Sequence, residues 1–358
     1  MTAMRAGAVL VAFILWASPA GAASDPLGSA GPFRSVAWAQ CPAGPVEQGA
    51  CDPAPVDPGL PPARQSRAHV ARALTLISFG RMPQARESVD AAVKLDPRNV
   101  SALKLRARFE LPGDGATAEA DVNAGLAIDP NDSDLLAMRA LFLEGRGDVG
   151  RALDEAGRAV RNNPRNTDAL WIRARIFLAN KRYDAAHADL TTALNMEPDY
   201  FHARHLRSAV RMHLKRYADA LEDANRALLL QPGDVSALGL RAMVRSELGD
   251  FAGLISDLTE VLGEPGQPVN ADPSLAMFNT LYIRRAMALA RLGRHSEAMQ
   301  DIATVSLLGG QKAILRIQIY LRGSGFPDVP LNGERSQLFD DAMKACFVNQ
   351  ACGRDIAR

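Results

Sequence analysis

Small apolar residues recur along this chain with a long fixed period, and polar residues fill the positions between them. Prolines stand at Pro97, Pro130, Pro164, Pro198 and Pro232, spaced 33 apart once and then 34 apart three times. Twelve residues before them come Ala85, Ala118, Ala152, Ala186 and Ala220. Five residues before them come Ala92, Ala159, Ala193 and Ala227, with Gly125 in the remaining slot. Most units open near an Arg-Ala pair (Arg72-Ala73, Arg106-Ala107, Arg139-Ala140, Arg173-Ala174, Arg241-Ala242, Arg285-Ala286), and Arg207-Ser208 is the variant. Seven residues on lies Gly80, Gly147, Lys181, Lys215, Gly249 or Gly293. Such a period predicts a helix hairpin repeated many times.

Each choice has a physical reason. Two antiparallel helices that cross closely need small residues where their backbones approach. The glycine or lysine slot turns the chain between them. Proline, lacking an N–H, stops the second helix. Asn99, Asp132, Asn166, Asp199 and Asp234 follow just behind the prolines as candidate N-caps for the next helix. One hairpin cannot bury its own apolar face, but stacked neighbours can.

With these positions in register, residues 66–99, 100–132, 133–166, 167–200, 201–234, 235–268 and 279–312 resemble the tetratricopeptide repeat family. The resemblance implies an all-α fold, a right-handed α–α superhelix of about seven hairpins. It also implies a concave face that binds a protein or peptide, and it implies no cofactor. Two units depart from the pattern. The second is one residue short, with Pro112-Gly113-Asp114 at its turn, so a shortened helix is expected there. The sixth has Leu254 in an alanine slot and then a Gly263–Pro268 loop.

The two ends differ from the repeats. Arg5, the uncharged run from Ala6 to Trp16, Pro19 and Ala20-Gly21-Ala22 read as a secretory signal peptide over 1–22. The run is half of what a spanning helix needs, so stable membrane insertion is not expected after cleavage, and the expected location is the periplasm. Residues 23–65, rich in Pro and Gly, read as a disordered linker, 66–312 as the solenoid and 313–358 as a C-terminal helical cap. All four cysteines, Cys41, Cys51, Cys346 and Cys352, fall outside the repeats, which points to two disulfides of undetermined connectivity. In the C-terminal stretch, Ile317-Gln318, Tyr320-Leu321, Gly325-Phe326, Asn332-Gly333 and Ala342 are similar to a helical peptidoglycan-binding module. That family has Asp-Gly and then Gly-x-x-Thr where this chain has Asn332-Gly333 and Glu334-Arg335-Ser336.

Composition narrows the function. Aromatics make up only 6% of a chain that is 47% hydrophobic, which suits Ala/Leu/Arg-rich helices. The net charge of +1 and the lack of a basic stripe argue against nucleic acid as partner. Arg173, Arg207, Arg241 and Arg285 each precede an acid by sixteen residues, Asp189, Asp223, Asp257 and Asp301, and the ladder reads as an internal salt-bridge series. The resemblance carries groove positions onto Asp168, Trp171, Arg175 and Leu178, then onto His202, His205 and Met212, with His213 alongside. Trp171 and Arg175, one turn apart, form the expected hot spot. His213 lies too far along the helix to share a metal with His202 and His205, so no metal is assigned. No nucleophile elbow, zinc-binding pair or phosphate loop occurs in the sequence. The chain therefore reads as a non-catalytic periplasmic scaffold. The alternative partner is peptidoglycan, held by the C-terminal element, and a metal- or thiol-dependent enzyme comes third.

Overall fold

The computed structural model describes residues 55–111, 115–267 and 278–348. Among them are fifteen helices and no strand. Seven hairpins follow in order: α1 (Pro62–Ser78) with α2 (Met82–Leu95), α3 (Val100–Glu110) with α4 (Gly115–Ile128), α5 (Ser133–Gly145) with α6 (Val149–Asn162), α7 (Thr167–Ala179) with α8 (Tyr183–Met196), α9 (Phe201–His213) with α10 (Tyr217–Leu230), α11 (Val235–Leu248) with α12 (Phe251–Leu262), and α13 (Phe278–Arg291) with α14 (His295–Gly323). A last helix, α15, spans Gln337–Val348. The residues group into two compact units, the first ending at Leu206 and the second starting at Arg207, within α9.

The repeat positions act as their chemistry demands. The second helices α2, α4, α6, α8 and α10 all end two residues before the recurring proline. The slot between helices has positive φ at Gly80, Gly147, Gly249 and Gly293, and also at Lys181 and Lys215, both at 59°. The next N–H then bonds back five residues, as from Arg182 to the Phe177 carbonyl (2.9 Å) and from Arg216 to the Arg211 carbonyl (2.8 Å). This is the bond that closes a helix over a left-handed residue. The recurring alanines Ala85, Ala118, Ala152, Ala186 and Ala220 are fully buried. At Gly125 a Cβ would lie 2.5 Å from the Leu135 Cδ1, so this slot excludes even alanine without repacking.

Four of the expected N-caps accept from helix-start N–H groups: Asn99, Asp132, Asn166 and Asp234. In the fifth repeat the helix starts at Phe201, which puts Tyr200 rather than Asp199 two residues behind Pro198 and in the capping slot. Asn99 and Asn166 serve twice. Asn99 Nδ2 donates to Ser66 Oγ (2.8 Å), which donates to the Ala92 carbonyl (2.7 Å). Two periods later Asn166 donates to Ser133, which donates to the Ala159 carbonyl. The same side chain thus caps its own helix and ties it to the repeat before.

Departures from the expected boundaries are local. Helix α1 starts at Pro62, so the last residues assigned to the linker belong to the first hairpin, with proline at a helical start where its missing N–H costs nothing. In the short second repeat α3 has 11 residues against 13 in α5 and α7. Residues 1–22, most of the linker, Pro112–Asp114, Cys41, Cys51 and Cys352 lie outside the described residues.

In the second unit the last hairpin and the C-terminal element share one core. Leu289, Ile302 and Val305 pack with Ile317, Leu321, Phe339, Met343 and Phe347, and Cys346 is fully buried among them. Helix α14 breaks at Gly310, where φ is 55° and ψ is −155°. The buried Gln318 holds the Asn332-Gly333 turn: its Oε1 accepts from the N–H groups of Asn332 (3.1 Å) and Gly333 (2.9 Å), and its Nε2 donates to Asn332 Oδ1 (2.9 Å) and the Glu334 carbonyl (2.8 Å). Gly333 has φ of 72°, and a Cβ there would sit 2.8 Å from the Gln311 carbonyl oxygen.

Candidate partner-binding site

The charge ladder lies inside the hairpins. Arg173 meets Asp189 in a bidentate pair (both bonds 2.7 Å), Arg207 meets Asp223 (both 2.8 Å), Arg241 meets Asp257 (closest 2.6 Å), and Arg285 meets Asp301 (2.8 and 2.7 Å). Two further rungs escape a search at spacing sixteen for aspartate. Arg106 pairs with Asp121 fifteen residues on, in the repeat that lacks a residue, and Arg139 pairs with Glu155. The Asp223 and Asp257 carboxylates each take a second arginine, Arg211 and Arg245, one turn along. Arg285 and Asp301 are fully buried, whereas Arg173 keeps 23% of its side chain exposed. The ladder carboxylates are therefore satisfied by their own hairpins.

A different set of side chains links first helices to one another in the first unit. Lys104 on α3 reaches Asp132 Oδ2 (2.9 Å) and Asp134 Oδ2 (3.0 Å) at the start of α5. Asn166 donates to the other Asp134 oxygen (2.8 Å). Arg108 donates to Asp168 (3.3 Å), which also accepts from the Tyr200 hydroxyl (2.6 Å). Arg175 pairs with Glu144. Burial, then the neighbouring Asp168 carboxylate, push the Tyr200 phenol well above its ordinary pKa, so it remains a neutral donor. Burial acts to raise the Asp134 carboxyl, but Lys104, Arg108 and its hydrogen bonds prevail and hold it below the usual value.

Of the residues assigned to the groove, Asp168, Trp171, Arg175, His202 and His205 come together here. The Arg175 guanidinium lies 5.7 Å from the centre of the Trp171 ring, and the His202 ring lies 5.7 Å from it on α9. His205 stacks on Phe201 with ring centres 6.1 Å apart. The Trp171 ring also leans on the core formed by α3 to α7. Its buried Nε1 finds no hydrogen-bond acceptor among the described residues, and neither does Arg175 Nε. Leu178 does not belong to this surface. It is 1% exposed, because its side chain turns into the packing between helices, and its place in the groove is corrected accordingly. Met212 and His213 lie in the second unit and line a cavity there. No group of three or more His, Cys, Asp or Glu side chains suited to a metal occurs among the described residues.

The arrangement combines opposed charges that pair across first helices, an aromatic ring beside a guanidinium and two buried N–H groups without an acceptor among the described residues. A tetratricopeptide repeat profile matches residues 70–133, 138–188 and 179–235. The chain carries tetratricopeptide repeats. Repeats of this family bind peptides and proteins and serve as interaction scaffolds. No curated protein sequence matches the chain. Among solved structures, a chain of the APC/C hetero-tetramer Cut9–Hcn1 is 15% identical over 83% of this chain and 57% of its own length, with a TM-score of 0.54. PilW, described as a widely conserved type IV pilus biogenesis factor, is 19% identical over 55% of this chain and 91% of its own, with a TM-score of 0.47. A thermophilic tetratricopeptide protein from Thermus thermophilus is 24% identical over 51% of this chain and 98% of its own, with a TM-score of 0.43. At these identities the likeness is one of fold.

Proposed function

We propose that this repeat chain is a non-catalytic, exported scaffold that holds an extended segment of a partner protein against Trp171 and Arg175. The observation that carries the reading is the pair of unsatisfied buried donors, Trp171 Nε1 and Arg175 Nε, beside a cation–aromatic contact. A buried donor without an acceptor costs about 1–3 kcal/mol, and the main-chain carbonyls of an extended segment relieve that cost. The surrounding charges already neutralise one another, so the site selects for shape and carbonyl placement more than for net charge. The signal-like leader over 1–22 and the even cysteine count support an oxidising periplasmic setting, in which Cys41, Cys51, Cys346 and Cys352 form two disulfides. No described helix is long and apolar enough to cross a membrane.

Selection of binders from a displayed peptide library on the full mature chain tests this reading. Trp171→Ala is expected to weaken the selected peptides about 30-fold, as hot-spot tryptophans do, with helical circular dichroism retained. Unchanged affinity removes the site. The peptidoglycan reading rests on the turn at Asn332-Gly333, which Gln318 holds ready-made. Its check is pelleting with isolated sacculi, which should be lost on deleting 313–358. The shared core of that element with the last hairpin supports the capping role instead.

A further inference from the structure

We propose that Glu144 is the specificity-determining residue of the first-unit site: it holds Arg175 beside Trp171 and so closes the site to partner segments that present a carboxylate there. The inference rests on the reading of the Trp171–Arg175 surface as a segment-binding site and adds what that surface refuses. Five residues on from the arginine that opens each repeat, six repeats carry Ile77, Leu111, Leu178, Met212, Ser246 and Ala290, all uncharged. Leu178 shows why: it is 1% exposed, turned into the packing between helices. Glu144 fills the same slot in the third repeat, and the place disfavours a carboxylate twice over. Its side chain is only 15% exposed. It also stands one residue before the end of α5, where the helix dipole is negative. The Arg175 guanidinium, on the first helix of the next repeat, offsets both penalties.

The pair differs in geometry from the ladder rungs. In Arg173–Asp189, Arg207–Asp223 and Arg285–Asp301 the carboxylate spans Nε and one terminal nitrogen of the guanidinium. Glu144 takes a single terminal nitrogen of Arg175, and the buried Arg175 Nε finds no acceptor among the described residues. A foreign carboxylate on the whole Nε edge would make the stronger, bidentate bond. Glu144 stands in its way, because a second carboxylate at Arg175 meets a like charge where little water screens it. The network around it leans the same way: Lys104, Arg108 and Arg175 are set against Asp132, Asp134, Asp168 and Glu144. An uncharged segment avoids the conflict and leaves the guanidinium in its contact with the Trp171 ring. With 18% and 15% of the two side chains exposed, against 26% and 33% in Lys104–Asp134, this pair opens less readily to exchange.

Random dodecapeptides displayed on phage, selected in parallel at low salt on the full mature chain and on its Glu144→Gln variant, provide the test. Glutamine keeps the size of Glu144 and an acceptor for Arg175, so only the charge changes. Clones from the native chain are expected to be poor in Asp and Glu and to bind equally at low and high salt. Clones from Glu144→Gln are expected to be rich in Asp or Glu and to weaken as salt rises. They should bind the native chain about tenfold less tightly. Glu144→Asp keeps the charge and should reject them as the native chain does, a rescue that a merely structural role would not produce. Trp171→Ala should weaken both sets of clones. Acidic clones that respond to Trp171→Ala but bind the native and Glu144→Gln chains equally overturn this inference and leave the site standing. Clones that ignore Trp171→Ala, or a library that yields no binders, overturn both.

Discussion

Two regions of this molecule use the same residue types to opposite ends. In the second unit Arg285 and Asp301 are sealed inside the last hairpin, each with no exposed surface, and Arg285 is tied further to Thr259 Oγ1 (3.2 Å) and the Gly263 carbonyl. In the first unit Lys104, Arg108, Asp134 and Asp168 also pair, but across first helices and partly open to water. A sealed pair is fixed by its surroundings and acts as a structural pin. A network in contact with solvent can exchange partners at small cost, which is what a binding surface requires. Burial, more than the identity of the ions, decides which role a charge takes.

The largest expected effect comes from cutting the sealed pair. Asp301→Ala leaves a guanidinium buried without its counter-charge and should cost about 3–5 kcal/mol. The same change at Asp189 should cost about 1–2 kcal/mol, because the partly exposed Arg173 can turn to water. Native-state hydrogen exchange read separately on α13 and α7 checks both. Replacing the sealed pair jointly by Arg285→Met and Asp301→Leu should recover most of the loss, since well-packed apolar groups often substitute for a buried ion pair. Equal losses at Asp189 and Asp301 would break the comparison.

How much of this was legible in the sequence follows from the same physics. The Arg-to-Asp spacing of sixteen is set by hairpin geometry, so four rungs were visible from spacing alone. Arg106–Asp121 was missed because one deleted residue shortens its spacing, and Arg139–Glu155 because the longer glutamate serves in the aspartate slot. The hairpin period was legible because proline, alanine and the turn residue each answer to local backbone geometry. Tyr200 in the capping slot was hidden behind Asp199, a better cap one residue too early. The network joining Lys104, Arg108, Asp134 and Asp168 was not legible, since its spacings of 30 and 60 residues cross repeats and no single-repeat pattern encodes them. Leu178 was misplaced because position within a repeat gives a direction, whereas depth depends on the neighbouring side chains.

An intermediate effect separates backbone from charge in the comparison. Each unit places one lysine in a left-handed turn, Lys181 in the first and Lys215 in the second, at the same φ of 59°. Glycine relieves about 1–2 kcal/mol of left-handed strain but loosens the unfolded chain by about 0.4–1 kcal/mol. Lys181→Gly and Lys215→Gly should each therefore stabilise by about 0.5–1 kcal/mol, measured by urea denaturation. The two gains should match, because the strain is local and both turns share one geometry. Unequal gains would show that the lysine charges themselves contribute, and differently, in the two units.

The smallest effect tests the open network directly. Asp134 has its carboxyl held below the ordinary value, with burial opposing and Lys104 and Arg108 prevailing. Its folded-state pKa is thus lower than in the unfolded chain, where aspartate titrates near about 3.9. The stability it contributes is complete above that unfolded value and disappears as the pH falls through the lower folded one. Asp134→Asn should flatten the acid limb of stability below about pH 4 and cost under about 1 kcal/mol at neutral pH, since a third of the Asp134 side chain is exposed and water screens the pair. The Lys104 ammonium, which loses ground to burial but gains more from Asp134 and Asp132, moves the opposite way: its pKa is raised, so its contribution is lost only as the pH rises through that raised value. Salt should weaken both contributions while leaving Arg285–Asp301 nearly untouched, because mobile ions reach the first pair and are excluded from the second. If Asp134→Asn proved as costly as Asp301→Ala and equally indifferent to salt, the network would be a second structural pin, and a partner segment could not exchange with it.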